Sequence, residues 1–269
     1  MDGSNGTARP APEVSGGVHT LTVTGATPGT RLRVVDSSGR DVVTLVADAV
    51  GNAHLAFVPQ HHTVLDRPEA IVEALATGDT LAAGEYRVFD HSTDPARDLG
   101  VAVVLAVQDT PDTSLYDQEL GEGYGYLTMR DGVQLSVMVR FPNPDLYGPA
   151  PYPTVIEYSG YSPSDPDEPQ PSTLLANLMG FAVVGVNMRG SGCSGGVFDV
   201  FSPAQAADGY DVVETVARQA WVLHGRPGMV GLSYPGISQL YVAATRPPHL
   251  AAIAPMSVID DLWRQQWPG

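Results

Sequence analysis

The sequence predicts two folds in tandem: an all-β sandwich over residues 18–107 and an α/β unit with a mainly parallel sheet over residues 124–269. Three observations predict this. Short runs rich in β-branched residues, separated by turn residues, fill the first stretch. Strand-like and helix-like segments alternate through the second. The hexapeptide Gly231-Leu232-Ser233-Tyr234-Pro235-Gly236 then stands between an apolar run and a helix-like segment. Residues 1–17 are expected to be a disordered tail. Residues 108–123, with Asp, Pro and Thr and no clear period, read as a linker.

Within the sandwich, strands are expected near 18–24, 31–35, 42–47, 54–58, 70–75, 85–90 and 101–107. Turn triplets such as Thr27-Pro28-Gly29 and Ser37-Ser38-Gly39 punctuate them at the spacing of an Ig-like sandwich. The second unit opens on a hairpin, because Arg130-Asp131-Gly132 lies between runs 125–129 and 133–141 and Asp-Gly favours a tight turn. Strands at 153–158, 181–187, 228–232 and 250–254 then alternate with helices at 172–179, 204–221 and 237–245. Val155-Ile156, Ala182-Val183-Val184-Gly185-Val186 and Met229-Val230-Gly231 are apolar without alternation. A parallel strand covered on both faces reads that way.

With 269 residues and 43% hydrophobic composition, the chain can bury one large core or two ordinary ones. No stretch approaches the roughly 20 apolar residues of a membrane-spanning helix. The opening Met1-Asp2-Gly3-Ser4-Asn5-Gly6 has neither the basic start nor the apolar core of a signal peptide, so a cytoplasmic location is the expectation. The net charge of −16 arises from 30 acidic side chains against 14 arginines and no lysine. Such a surface repels nucleic acid and anionic membranes, and neither is expected as a partner. The single cysteine, Cys193, precludes an internal disulfide.

The chemistry centres on Ser233. In the nucleophile elbow of α/β-hydrolases a serine occupies a strained strand-to-helix turn, with small neighbours where the two backbones nearly touch. Gly231 is such a neighbour, and Pro235 fits the first helical turn, where its missing N–H has no intrahelical acceptor. The fold expected is therefore a partial α/β-hydrolase core preceded by the β-sandwich. A serine nucleophile needs a histidine to take its proton and a carboxylate to hold that histidine. The 36 residues after Ser233 contain His249, Asp260 and Asp261, the reverse of the fold's serine, acid, histidine order. His249 reads as an exposed loop residue, His224 lies in the turn before the nucleophile strand, and His19, His54, His61, His62 and His91 lie in the β domain. The pair His61-His62 with His54 has no cysteine or spaced carboxylate to complete a ligand set, so no metal and no cofactor are expected. Ser164-Asp165-Pro166-Asp167-Glu168-Pro169 reads as a solvated acidic loop. The glycine-rich run 189–196 lacks the spacing of a phosphate cradle and reads as a shaped loop at the carboxyl edge of the sheet, with Cys193 a bystander in it.

Several ordered pieces of the second half resemble the superfamily of cocaine esterase and X-Pro dipeptidyl-peptidase, which also includes α-amino acid ester hydrolases. They are Met129-Arg130-Asp131-Gly132-Val133, Tyr158-Ser159-Gly160-Tyr161 and Asn187-Met188-Arg189-Gly190-Ser191-Gly192. Asp208 and Asp211 leading to Gln219-Ala220-Trp221, the elbow itself, and Pro247-Pro248-His249-Leu250-Ala251-Ala252-Ile253 complete the set. The family elbow is Gly-x-Ser-Tyr-x-Gly, so Pro235 falls on its variable position. The resemblance implies Ser233 as nucleophile, with the oxyanion held by the backbone N–H of Tyr234 and a tyrosine hydroxyl after the third strand. Tyr161 matches that position and Tyr158 is the runner-up. Here Ser159-Gly160 precedes Tyr161 where family members carry Thr-Pro or Asn-Pro. Family members also continue into a helical cap, the acid, the histidine and a jelly-roll domain. The expectation is a truncated serine hydrolase of small-molecule esters or peptides, with little activity alone. The alternative is a non-enzymatic binding protein on a degenerate hydrolase scaffold.

Overall fold

Alternating β-branched residues in the first hundred positions build a β-rich unit in the computed structural model of the chain, which describes residues 11–58 and 79–259. The chain divides into two units, Met1–Ala106 and Val107–Gly269. The first contains β1 (Glu13–Gly17), β2 (Thr20–Thr24), β3 (Arg31–Asp36), β4 (Asp41–Val46), β5 (Ala53–Leu55), β6 (Phe57–Val58), β7 (Asp79–Thr80), β8 (Gly84–Asp90) and β9 (Arg97–Val104). They form a three-stranded sheet β1-β2-β5, a four-stranded sheet β4-β3-β8-β9 and a short pair β6-β7. Leu21 and Val23 of one sheet share a buried cluster with Leu32, Val34, Val88 and Val104 of the other, so the two sheets enclose one core.

Two readings of this stretch need correction. Glu13–Gly17 is not part of a disordered tail: it pairs antiparallel with β2, Glu13 opposite Thr24. Val14 packs against the core, and at Gly16 a Cβ would lie 2.0 Å from the Val103 carbonyl oxygen. The small residue that reads as tail is what allows that backbone approach. The expected strand 54–58 breaks into β5 and β6, and the one at 70–75 lies outside the described residues.

The second unit contains β10 (Gly123–Thr128), β11 (Gln134–Arg140), α1 (Pro144–Tyr147), β12 (Thr154–Ser159), α2 (Pro171–Leu178), β13 (Ala182–Asn187), α3 (Pro203–Ala217), β14 (Gly228–Leu232), α4 (Tyr234–Ala244) and β15 (Ile253–Met256). The order β10-β11-β13-β12-β14-β15 makes one mixed sheet. Its first two pairings are antiparallel and the rest parallel. This is the α/β-hydrolase core with helices on a largely parallel sheet. Every residue of β13 is buried, as its unbroken apolar run requires. Ile156, Val184, Val212, Met229 and Val242 bring β12, β13, α3, β14 and α4 into one core.

Residues 108–123 are not a free linker. A 3₁₀ turn at Thr113–Asp117 buries Tyr116, whose hydroxyl donates to Asp211 at 3.0 Å, and the Trp221 indole donates to the Leu120 carbonyl at 2.9 Å. Helix α3 ends at Ala217, short of the expected 221, because the Gln219 carboxamide bonds Thr215, Gln118 and Leu120 and turns the chain. No helix among the described residues is long and apolar enough to cross a membrane.

In the β3–β4 turn the Asp36 carboxylate accepts from the Ser38 hydroxyl at 2.6 Å and from the backbone N–H groups of Ser38 and Arg40. The Ser38 hydroxyl leads in holding its pKa down to about 2, against an ordinary 3.8. A depressed carboxylate contributes stability that is present above its unfolded pKa and lost as pH falls through the folded value. We expect Asp36→Asn to flatten the dependence of thermal stability on pH between about 4 and 2, as measured by circular dichroism melts across that range.

Candidate active site

The elbow forms because β14 ends at the carboxyl edge of the sheet and α4 begins two residues later. Ser233 between them has φ 66° and ψ −118°, a left-handed backbone that costs a non-glycine residue about 1–3 kcal/mol. Its N–H donates to the Met256 carbonyl at 2.8 Å and its carbonyl accepts from Ile237 at 2.9 Å. Its side chain does not cap the helix. Space for the turn comes from two glycines. A Cβ at Gly231 would lie 2.5 Å from Pro235 Cβ, and one at Gly236 would lie 2.4 Å from the Met256 carbonyl oxygen.

Tyr161 lies on the same edge, just beyond β12. Its N–H donates to Ser159 Oγ at 3.2 Å and its carbonyl accepts from the Gln170 amide at 2.8 Å. The ring is half exposed and its centroid is 5.6 Å from that of Tyr234. The structure thus gathers Ser233, Tyr234 and Tyr161 at one sheet edge. Tyr158 points elsewhere: it is buried, and its hydroxyl donates to the Gln205 carbonyl at 2.9 Å. The carboxyl-edge loop after Asn187 supplies aromatic neighbours that carry no periodic signal in the sequence. Phe201 stacks on Tyr234 at 4.7 Å and on Tyr241 at 4.9 Å, and Phe198 is 6.4 Å from Tyr234.

A buried ion network braces this loop. Arg189 binds both oxygens of Asp208, at 2.7 and 2.6 Å, and Asp131 at 2.9 Å. Arg130 binds both oxygens of Asp211, at 3.0 and 2.8 Å, and its guanidinium also donates to the Asp109 carbonyl at 2.6 Å. Burial pushes the Asp208 carboxyl up to about 6 even though Arg189 pulls the other way. Burial opposes the charge on Arg189, yet Asp208 and Asp131 hold its pKa above the ordinary value. The glycines of the run 189–196 shape the loop. Gly190 has φ 71°, and a Cβ there would lie 2.1 Å from the Phe198 nitrogen.

The acidic run 164–169 is not wholly solvated. Ser164 is buried, and its N–H and hydroxyl both donate to Asn187 Oδ1, at 3.0 and 2.7 Å. The two histidines of this unit lie at the opposite end of the sheet from Ser233. His224 precedes β14, and His249 precedes β15 with its Nδ1 2.6 Å from Glu214 Oε2. The five-residue β14 alone separates the two edges by about 16 Å at 3.3 Å per residue. In the β unit His54 Nδ1 lies 2.9 Å from Thr22 Oγ1. His61, His62, Asp260 and Asp261 lie outside the described residues.

A serine on a strained turn between a parallel strand and a helix, above the carboxyl edge of this sheet, defines the chain's second unit as an α/β-hydrolase domain. The model of the X-Pro dipeptidyl-peptidase (S15 family) matches residues 131–269, and the chain belongs to that family, within the superfamily that includes cocaine esterase. Cocaine esterase from Rhodococcus sp. (strain MB1 Bresler) is 35% identical over 146 residues, 52% of this chain and 24% of that protein. The chain thus spans about a quarter of that relative's length. A CocE/NonD family hydrolase from Staphylococcus aureus is 31% identical with a TM-score of 0.47, covering 53% of this chain and 28% of that one. An α-amino acid ester hydrolase is 21% identical with a TM-score of 0.45, over 58% of this chain and 29% of its own.

Removing Arg189 leaves Asp131 and Asp208 buried without their cation, and breaking a buried pair this way costs about 3–5 kcal/mol. We expect Arg189→Met to lose stability on that scale in urea titrations. The loss should be smaller at pH 5 than at pH 7: Arg189 opposes the burial that raises the Asp208 carboxyl to about 6, so without it the carboxyl stays protonated to higher pH, and the variant forfeits the ion pair only where the native carboxylate is charged.

Proposed function

We propose that this chain carries the nucleophile and oxyanion site of a serine hydrolase that cleaves an ester or amide bond, of acyl-peptide or X-Pro type, through an acyl-enzyme on Ser233. The observation that carries the reading is the Ser233 backbone, held at positive φ with its side chain left out of the helix cap. A serine serving only as an N-cap adopts an extended backbone and accepts a hydrogen bond from the first turn. This one does neither. In the reaction the Ser233 hydroxyl attacks the acyl carbon, and negative charge develops on the carbonyl oxygen. The N–H of Tyr234 opens α4, where first-turn donors have no intrahelical acceptor, and it serves as one oxyanion donor. The Tyr161 hydroxyl is the other.

No described histidine hydrogen-bonds Ser233; on this reading the base and its acid come from outside the described residues. Without that base turnover is slow, since loss of a triad member leaves only about 10³–10⁴-fold catalysis over water. We expect a fluorophosphonate probe, followed by mass spectrometry, to modify Ser233 slowly and ahead of every other serine, and Ser233→Ala to abolish that modification. Labelling that persists in Ser233→Ala refutes the assignment. Tyr161→Phe should slow the hydrolysis of a p-nitrophenyl ester by about 10²–10³ if the phenol holds the oxyanion. An unchanged rate would remove Tyr161 from the site.

A further inference from the structure

Helix α4 opens with little support from its own end. Ser233 stands at its N-cap position but makes no side-chain hydrogen bond to the first turn, and Gly236 in that turn is a weak helix former. A helix end whose first N–H groups have no partner frays unless something outside the hydrogen-bond ladder holds it. A side-chain cap would hold it by occupying the N–H groups that an oxyanion needs. Support for this helix has to come from the side.

Phe201 supplies that support. Its ring stacks on Tyr234 with centroids 4.7 Å apart and planes at 21°, and on Tyr241 at 4.9 Å and 1°. The two tyrosines are seven residues apart on α4, a rise of about 10.5 Å along the helix axis, which is the room one ring needs to lie between two others. Phe201 thus bridges the first two turns of the helix, and a stack of rings consumes no backbone donor. Its own backbone is an outlier, with φ 51°, where a bulky side chain is rarely found and glycine is ordinary. Such strain persists only where neighbouring structure over-determines it. Here the next residue, Ser202, caps α3 by accepting from the Gln205 N–H, its own N–H donates to the Asp199 carbonyl at 3.3 Å, and its carbonyl accepts from Ala206 at 3.1 Å. The start of α3 fixes the Phe201 backbone, and the ring carries that frame to α4.

We propose that Phe201 is a positioning residue: clamped between Tyr234 and Tyr241, it holds the opening turn of α4, and with it the Tyr234 N–H, in place for the oxyanion. The clamp follows from the stacked rings alone. The positioning role rests on the reading of Ser233 as nucleophile and Tyr234 as oxyanion donor, and the two halves are decided by different measurements.

Amide hydrogen exchange decides the clamp. In Phe201→Leu, peptides covering 234–241 should exchange about tenfold faster than in the unsubstituted chain, while those covering 205–217 keep their rate. Equal rates in 234–241, or a rise shared by α3, overturn it. Fluorophosphonate labelling of Ser233 over a range of probe concentrations decides the positioning role. Phe201→Leu, and Phe201→Gly, which relieves the backbone strain, should each lower the limiting rate about tenfold with the half-saturating concentration unchanged. Phe201→Tyr restores a ring and should label within about twofold of the unsubstituted chain. An unchanged limiting rate, a change confined to the half-saturating concentration, or a Phe201→Tyr chain as slow as Phe201→Leu overturns the role. Should Phe201→Leu fail to fold, Phe201→Gly carries both measurements. An unsubstituted chain that is never labelled refutes the Ser233 reading and the positioning role with it, while the clamp stands or falls on the exchange rates.

Discussion

The hydrolase unit depends on a set of charges withdrawn from water. Asp208 and Asp211, three residues apart on α3, each take a guanidinium fork, and the two arginines come from different parts of the chain. Arg130 stands in the hairpin turn and Arg189 in the loop that follows β13, while Asp131 of the same turn closes the circuit on Arg189. None of these groups is tolerable alone in the interior, because desolvating an isolated ion costs several kcal/mol even after relaxation. Pairing thus fixes α3, the hairpin and the loop with respect to one another. A bidentate geometry also fixes their orientation.

This brace explains why the residues around Ser233 are arranged as they are. The sheet edge and the two glycine approaches set the serine, but its surroundings come from the loop that Arg189 anchors. That loop delivers Phe198 and Phe201 to Tyr234. Acidic side chains outnumber basic ones 30 to 14, yet the site contains a stacked aromatic group. The excess negative charge of the chain describes its surface and says little about the site.

Much of the hydrolase unit was legible because its strands are read by period and length. Unbroken apolar runs such as 182–186 have few alternatives to a strand covered on both faces. The elbow was legible for a different reason: few residue types fit a turn where a Cβ would overlap backbone, so Gly231 and Gly236 leave a visible pattern. The segment around Glu13 reads as a tail because a strand end carrying two glycines gives no strand signal until its partner is known. Residues 108–123 read as a linker because Tyr116 and Leu120 are anchored by long-range contacts to Asp211, Gln219 and Trp221, which leave no period.

The sequence by itself determined the order of elements, the place of the serine and the superfamily, since those reside in local spacing and in motifs a few residues long. Only the tertiary structure decided that Ser233 has a positive φ and an uncapped side chain, that the Tyr158 hydroxyl is taken by the Gln205 carbonyl, and that His249 faces the wrong end of the sheet. It also decided that Asp131, Arg189 and Asp208 form one buried circuit. These facts depend on groups far apart in the chain, up to 77 positions between Asp131 and Asp208. A hydrogen bond or ion pair forms by distance in space, and nothing in the local pattern of residues encodes that distance.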